Sequence, residues 1–199
     1  MVLNKTSKYD NNNDDLQTED YTQFLINFTN NALTHCQYVF VNIQTLANNK
    51  HSVIDYMHQL KDKFADTMIW DKQNAAPAMP QNVLNAEFEY IHIFSEKGNR
   101  NIGTIPFRGT ISNLIHISRG HNDYAEVHNA VFPIELSAYI IKHFAEESVL
   151  DLFGGTGTTL IACEQLGKKG YTMELEPKYC QIIIDRWEQY TGQKAEKIN

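Results

Sequence analysis

Residues 148–159 read SVLDLFGGTGTT, and this stretch decides the fold of the chain. A short apolar run ends at Asp151, a glycine-rich turn follows, and the residues after the turn have helical character. A strand that enters a glycine turn and then a helix is where a doubly wound α/β sheet binds a nucleotide. Gly155 and Gly157 match the start of the dinucleotide fingerprint G-x-G-x-x-G, but Leu160 stands at its third glycine position. The turn therefore indicates nucleotide binding without indicating a dinucleotide.

Two acidic residues narrow the choice of ligand. Asp151 comes directly before the turn, where it would repel a pyrophosphate but attract an ammonium or sulfonium group. Glu174 stands near the end of the next predicted strand, where an acid can accept both hydroxyls of a ribose. S-adenosylmethionine, a nucleoside with a cationic amino-acid tail, satisfies both. The alternative is that the turn is only a tight connection and that Glu174, with Glu176 and Pro177, only caps a helix.

Strands and helices alternate along the rest of the chain. The predicted strands cover residues 38–43, 67–70, 88–94, 148–153 and 171–175. The predicted helices cover residues 52–64, 133–144, 156–166 and 177–190, after a first helix that buries Tyr21, Phe24, Leu25, Phe28, Ala32 and Leu33. Repeated strand–helix units predict an α/β fold, with a mostly parallel sheet and helices on both faces.

Composition and charge limit the classes of protein. The 199 residues are 42% hydrophobic and 21% charged, which is typical of one globular domain and argues against disorder. No apolar stretch approaches the length of a membrane span, and the polar start predicts no signal peptide, so we expect a cytoplasmic protein. The formal net charge of −7 argues against a generally basic nucleic-acid-binding surface.

One segment departs from this acidic composition. Residues 97–122 contain no Asp or Glu, although they include four basic residues: Lys97, Arg100, Arg108 and Arg119. Such a segment predicts a local patch for nucleic acid.

These motifs resemble a family, the amino-methylating DNA methyltransferases that modify adenine N6 or cytosine N4. The resemblance is to the permuted arrangement, in which the cofactor loop lies near the C-terminus. VLDLFGGTGTT looks like the cofactor loop of this family, and GYTMELEPKYC looks like its second strand with the ribose-binding acid. HNAVFP, residues 128–133, resembles the family motif H-P-x-x-x-P for the tail of the cofactor, with Asn129 in place of the first proline. Residues 38–44, 69–72 and 85–90 resemble segments that line the target-base pocket.

The resemblance implies a Rossmann-like S-adenosylmethionine-dependent methyltransferase fold in a single domain, residues 1–199. Its parts would be a target-base half at residues 1–96, a DNA-recognition insert at residues 97–127 and a cofactor half at residues 128–190. The implied cofactor-binding residues are Asp151, Phe153, Gly154, Gly155, Gly157, Thr158, Glu174, His128 and Phe132. The implied DNA-binding residues are Lys97, Arg100, Arg108 and Arg119, and the implied partner is double-stranded DNA.

One departure from the family concerns catalysis. The family motif D-P-P-Y or S-P-P-Y holds the target amine and should precede the first helix, but the 199 residues contain no P-P-Y. We therefore expect one or more N-terminal strands to be missing and the catalytic residues to be unknown. We also expect either a homodimer or a complementing chain that carries the missing strand.

Other kinds of site have weaker support. The eight histidines show no H-E-x-x-H spacing, and we expect no metal site. Two rival functions stay open. One is a catalytically silent protein that uses the same fold to bind DNA or a partner, and the other is a methyltransferase for small molecules.

Overall fold

The structure is a computed structural model that describes residues 18–73, 81–103, 106–120 and 132–198. The chain divides into two compact units, one of residues 14–119 and one that combines residues 1–13 with 120–199. The boundary between the units falls at Gly120, inside the predicted DNA-recognition insert. The expected absence of a strand ahead of the first helix falls on residues outside the described ranges.

The unit of residues 14–119 is built on a four-stranded mixed sheet. Its described elements are α1 (Thr18–Leu33), β1 (Val39–Ile43), α2 (Lys50–Gln59), β2 (Phe64–Asp71), β3 (Phe88–Phe94) and β4 (Leu114–His116). The strand order is β1-β3-β2-β4. Strand β3 is antiparallel to both β1 and β2, whereas β4 is parallel to β2.

These directions correct the predicted mostly parallel sheet. The described part of the β2–β3 connection, residues 72–73 and 81–87, contains no helix. A parallel neighbour needs a crossover connection, which is usually helical, whereas an antiparallel neighbour does not. Strand β3 accordingly returns alongside β2 in the opposite direction.

The core of this unit is aromatic and aliphatic. The side chains of Tyr56, Ile91, Ile93 and Phe94 are fully inaccessible to solvent, and the rings of Tyr56 and Phe94 are 5.3 Å apart. Burial of this apolar surface is the main contribution to the stability of the unit.

The second unit contains a βαβ arrangement. Its described elements are α3 (Ile134–Phe144), β5 (Ser148–Asp151), α4 (Thr158–Gln165), β6 (Lys169–Thr172) and α5 (Pro177–Thr191). Strands β5 and β6 are parallel neighbours, with α4 as the connection between them. Ile141, Ala162 and Cys163 form a buried cluster of α3 and α4. Burial there raises the pKa of the Cys163 thiol to about 11.

No helix among the described residues is long and apolar enough to cross a membrane.

Candidate functional site

The candidate site lies where β5 and β6 end side by side. The last residues of the two strands, Asp151 and Thr172, are paired in register. The pairing continues one residue further, because the N–H of Met173 donates to the backbone oxygen of Asp151 at 2.9 Å. Glu174 follows directly, so the two predicted acids stand at the carboxyl ends of neighbouring parallel strands. That edge is where open α/β sheets place their ligands.

The turn between β5 and α4 is packed tightly against the end of β6. The N–H of Gly154 donates to the backbone oxygen of Met173 at 2.8 Å. A Cβ atom on Gly154 would lie 2.4 Å from the hydroxyl oxygen of Thr172, so a larger residue does not fit. Gly157 has φ of +80° at the N-cap of α4, a backbone conformation that favours glycine. Glycine is therefore needed at the two positions for different reasons: at Gly154 because Thr172 lies too close for a side chain, and at Gly157 because the backbone is left-handed.

The Glu174 carboxylate accepts hydrogen bonds from both sides of the site. Its Oε2 accepts from the N–H of Gly155 at 2.7 Å, and its Oε1 accepts from the N–H of Glu176 at 2.9 Å. The second bond is the local capping that sequence analysis left open as an alternative. A carboxylate has about four lone-pair sites. Two backbone bonds therefore leave acceptor capacity on this half-buried side chain.

Asp151 lies at the entrance to the turn. Its Oδ1 accepts from the N–H of Phe153 at 2.9 Å. The ring of Phe153 is 55% exposed at the same edge. The edge thus combines two acceptor carboxylates with an accessible aromatic surface. This set fits a ligand that carries hydroxyl donors, a cationic group and an aromatic base.

The remaining predicted cofactor residues differ in their placement. Thr158 is 4% exposed, and its hydroxyl accepts from Arg186, so it lies beneath the turn and not at its surface. Phe132 is half-buried and lies just before α3. His128 lies outside the described residues.

The four predicted DNA-binding residues are all exposed but do not form one compact patch. Arg100 forms an ion pair with Asp66, near the start of β2, at 2.8 Å. The N–H of Arg119 donates to the backbone oxygen of Lys72, just beyond the other end of β2. Arg100 and Arg119 therefore mark opposite ends of this strand.

Sequence analysis missed a charged cluster at the carboxyl end of β2. The Nδ1 of His116 lies 2.8 Å from the Oδ2 of Asp71, and the Nζ of the buried Lys72 lies 3.4 Å from the Oε1 of Glu89. Hydrogen bonds from the N–H of Gln73 and from His116 lower the pKa of Asp71 below its ordinary value. Residues 69–72 and 85–90 resemble segments that line the target-base pocket, but these pairs join three strands, and no local signal in the sequence predicts them.

Sequence analysis also missed Arg186 of α5. Its guanidinium donates to two threonines of the turn, 28 and 30 residues earlier in the chain. A contact over that separation has no signal in spacing or periodicity.

The chain is similar to known DNA methylases in sequence and in fold. A family model described as DNA methylase, for N6 and N4 methyltransferases, matches residues 3–185. The chain is 25% identical over 132 residues to the type II methyltransferase M.Cfr9I of Citrobacter freundii. That match covers 60% of this chain but only 42% of the relative, so the chain spans less than half the length of this curated protein.

Two solved structures share the fold. The PvuII DNA methyltransferase, which is cytosine-N4-specific, has a TM-score of 0.71 at 17% identity, with 92% of this chain and 78% of that chain covered. The M1.HpyAVI–SAM complex has a TM-score of 0.66 at 19% identity, with 86% and 85% covered. These likenesses confirm the predicted Rossmann-like methyltransferase fold.

Proposed function

The chain belongs to the N6/N4 DNA methylase family, and from this premise we propose that it is an S-adenosylmethionine-dependent DNA methyltransferase. It acts on an exocyclic amine, adenine N6 or cytosine N4. The observation that supports this proposal most strongly is the pair of acids, Asp151 and Glu174, at the carboxyl ends of two neighbouring parallel strands.

The chemistry of these acids suits the cofactor. When bound, S-adenosylmethionine supplies an electrophilic methyl group on a sulfonium. Glu174 would hold the ribose hydroxyls with the lone pairs that its two backbone bonds leave available. Asp151 would attract the cationic tail, and Phe153 would offer an aromatic face to the base.

The hydrogen bonds to Glu174 also fix the orientation of its carboxylate. Because the N–H of Gly155 holds one carboxylate oxygen, the acid is oriented before a ligand arrives. Preorganisation of this kind lowers the entropic cost of binding.

Calorimetry with S-adenosylhomocysteine and S-adenosylmethionine tests the proposal. Glu174→Gln should weaken binding by roughly 1 to 3 kcal/mol, because an amide offers fewer acceptor sites to buried hydroxyls. Glu147→Gln is the matched control, since Glu147 is exposed just before the start of β5. A wild-type chain that is folded yet gives neither heat nor thermal shift at millimolar cofactor would contradict the proposal.

Double-stranded DNA is the substrate that family membership implies, and Lys97, Arg100, Arg108 and Arg119 are the proposed contacts to its phosphates. All four are exposed cations in a segment without acids, in a chain whose net charge is −7. The cytoplasm is the proposed site of action, because the family acts on DNA.

Transfer of the methyl group needs groups that hold the target amine, and the 199 residues contain no P-P-Y. Positioning of the reacting nitrogen is a large part of the catalysis of such a step. A segment beyond these residues, or a complementing chain, would supply that strand, and β5 has a free edge for it among the described residues. A homodimer would pair the edge without restoring the chemistry. If transfer of labelled methyl groups stays absent when a P-P-Y strand is added, the silent DNA-binding alternative is favoured.

A further inference from the structure

Arg186 links α5 to the glycine turn through its Nη1 atom. Its Nη1 lies 3.0 Å from the backbone oxygen of Thr156, 3.3 Å from the Thr156 hydroxyl and 3.2 Å from the Thr158 hydroxyl. The two threonines are only 3% and 4% exposed. Three oxygen atoms with little access to water therefore converge on one guanidinium nitrogen.

The location of this cation argues for a specific role. Helix α4 begins at Thr158, so the guanidinium lies at the N-terminal end of that helix. The helix dipole disfavours a positive charge at this end. Arg186 therefore does not gain stability there from the dipole, and the two N–H donors of its Nη1, shared among three oxygen acceptors, offset part of that unfavourable position.

One residue that Arg186 contacts, Thr156, is the chain neighbour of the residue that orients Glu174. Thr156 follows Gly155, whose N–H donates to Glu174 at 2.7 Å. Gly157, with φ of +80°, lies between the two threonines that Arg186 holds. A shift of Thr156 would move the Gly155 N–H and change the orientation of the Glu174 carboxylate.

We propose that Arg186 is a positioning residue that holds the turn of residues 154–158 in the conformation that binds the cofactor. This inference rests on the proposed function for its effect on affinity. It does not make Arg186 a ligand of the cofactor, because the contacts that carry it are to Thr156 and Thr158.

Two substitutions separate hydrogen bonding from packing. Arg186→Met keeps an unbranched side chain but removes every donor, and we expect it to weaken binding of S-adenosylhomocysteine about tenfold or more. Arg186→Lys should stay within about threefold of wild type, because three acceptors surround one nitrogen and an ammonium carries three donors. Lys194→Met is the control, since Lys194 pairs with Glu188 at the end of the same helix.

A double-mutant cycle tests whether Arg186 acts through Thr156. Thr156→Val removes the hydroxyl while it keeps the branched shape. If the two residues act together, Thr156→Val should weaken binding in the wild type and have little further effect in Arg186→Met. Additive losses would contradict action through the Thr156 hydroxyl, and would leave the bond to the Thr156 backbone oxygen as the contact that acts.

Amide hydrogen exchange of the ligand-free chain gives a readout that does not depend on cofactor binding. The N–H of Gly157 donates to the backbone oxygen of Gly154 at 2.7 Å, within the turn. Its exchange should be about tenfold faster or more in Arg186→Met and restored in Arg186→Lys. The N–H of Met173, which joins β6 to β5, should exchange at the wild-type rate in both.

These measurements keep the two proposals distinguishable. Suppose that the wild type does not bind the cofactor, but Gly157 exchanges faster in Arg186→Met and at the wild-type rate in Arg186→Lys. That result would refute the proposed function and still support the positioning of the turn by Arg186. Unchanged Gly157 exchange and unchanged affinity in Arg186→Met would overturn the inference. If Arg186→Met does not fold, the double variant Thr156→Val/Thr158→Val, which removes two of the three acceptors, takes its place: faster Gly157 exchange in it supports the inference and wild-type exchange there overturns it.

Discussion

At the scale of single residues, the Glu174 carboxylate accepts one local and one long-range hydrogen bond. One carboxylate oxygen accepts from the N–H two residues ahead, at Glu176, and the other accepts from the N–H of Gly155, nineteen residues before it. Helix capping and ligand binding appeared as alternatives in the sequence. Because a carboxylate accepts several hydrogen bonds, the same side chain can serve both.

His92 is a residue that the proposed function does not use. Its side chain is 7% exposed in β3, stacks on the ring of Tyr90 and lies 3.0 Å from the hydroxyl of Thr67. Burial lowers the pKa of His92 from 6.5 to about 4. The folded state therefore favours the neutral imidazole over the charged one.

The stability of the chain should for this reason fall in mild acid. Between about pH 6.5 and pH 4 the unfolded chain binds a proton at this position and the folded chain does not, so stability decreases as the pH falls. The contribution of His92 to the loss from pH 7.5 to pH 5 should be about 2 kcal/mol. Urea denaturation at the two pH values should show that His92→Gln removes this part of the loss. His51→Gln, at an exposed position on α2, is the control, and an equal pH dependence in wild type and His92→Gln would contradict the prediction.

At the scale of elements, α1 differs from its prediction in which face is buried. The predicted face included Phe24, which is 41% exposed, whereas Thr22 and Thr29 are buried. The hydroxyl of Thr22 donates to the backbone oxygen of Thr18, and the hydroxyl of Thr29 lies 2.7 Å from that of Tyr56 on α2. The helix can therefore turn two threonines inward because each hydroxyl has a partner.

The bond between Thr29 and Tyr56 should show the energetics of a buried polar pair. Tyr56→Phe or Thr29→Val alone leaves one buried hydroxyl unpaired and should lower the free energy of unfolding by about 1 to 3 kcal/mol. The double variant should lose less than the sum of the two, because it leaves no unpaired group. Chemical denaturation of all four proteins measures this coupling, and strictly additive losses would show that the hydroxyls do not pair in solution.

The C-terminal helix shows a smaller difference of the same kind. Sequence periodicity predicts a stripe of Tyr179, Ile183, Trp187 and Tyr190 on α5. Tyr179 and Ile183 are buried, but Tyr190 is 50% exposed, and Trp187 directs its N–H to Glu164 at 2.9 Å. The buried part of the stripe therefore ends before the last turn of α5.

At the scale of the whole molecule, charge and placement constrain how DNA can bind. Arg100 and Arg119 are anchored near opposite ends of β2, a strand of eight residues and roughly 23 Å. If both bind DNA as proposed, cations that far apart would contact different phosphates. In a chain with a net charge of −7, binding must depend on such local contacts.

The steepness with which DNA affinity falls as salt rises should reflect how many of these cations contact phosphates. The slope of log K against log salt should flatten by about 0.9 for each of Lys97, Arg100, Arg108 and Arg119 that is replaced by Gln, if each neutralises one phosphate. Arg100→Gln also leaves Asp66 without its ion-pair partner. Fluorescence anisotropy with a short duplex over a range of salt concentrations measures the slope. Lys194→Gln, in the other unit, should leave it unchanged, and a slope that ignores all four replacements would argue for the small-molecule alternative.

Much of the secondary structure could be predicted because its signals are local. The strand at residues 88–94 was predicted with the bounds that β3 has, and the helices α3 and α5 were predicted within one residue at each end. Strand β4 was not predicted, because Leu114–His116 is too short to show an alternating pattern. Its place beside β2 comes from pairing with Ile69, Trp70 and Asp71, more than forty residues earlier.

The sequence by itself determined the βαβ unit, the glycine turn and the two acids at its edge, since strand propensity, turn chemistry and spacing act between near neighbours in the chain. Only the tertiary structure decided the strand directions, the face that α1 buries, the separation of Arg100 from Arg119 and the hold of Arg186 on the turn. Each of these depends on atoms that are far apart in sequence and meet only after packing. Such contacts form because buried hydrogen-bonding groups must find partners, and no local pattern specifies which distant group the partner will be.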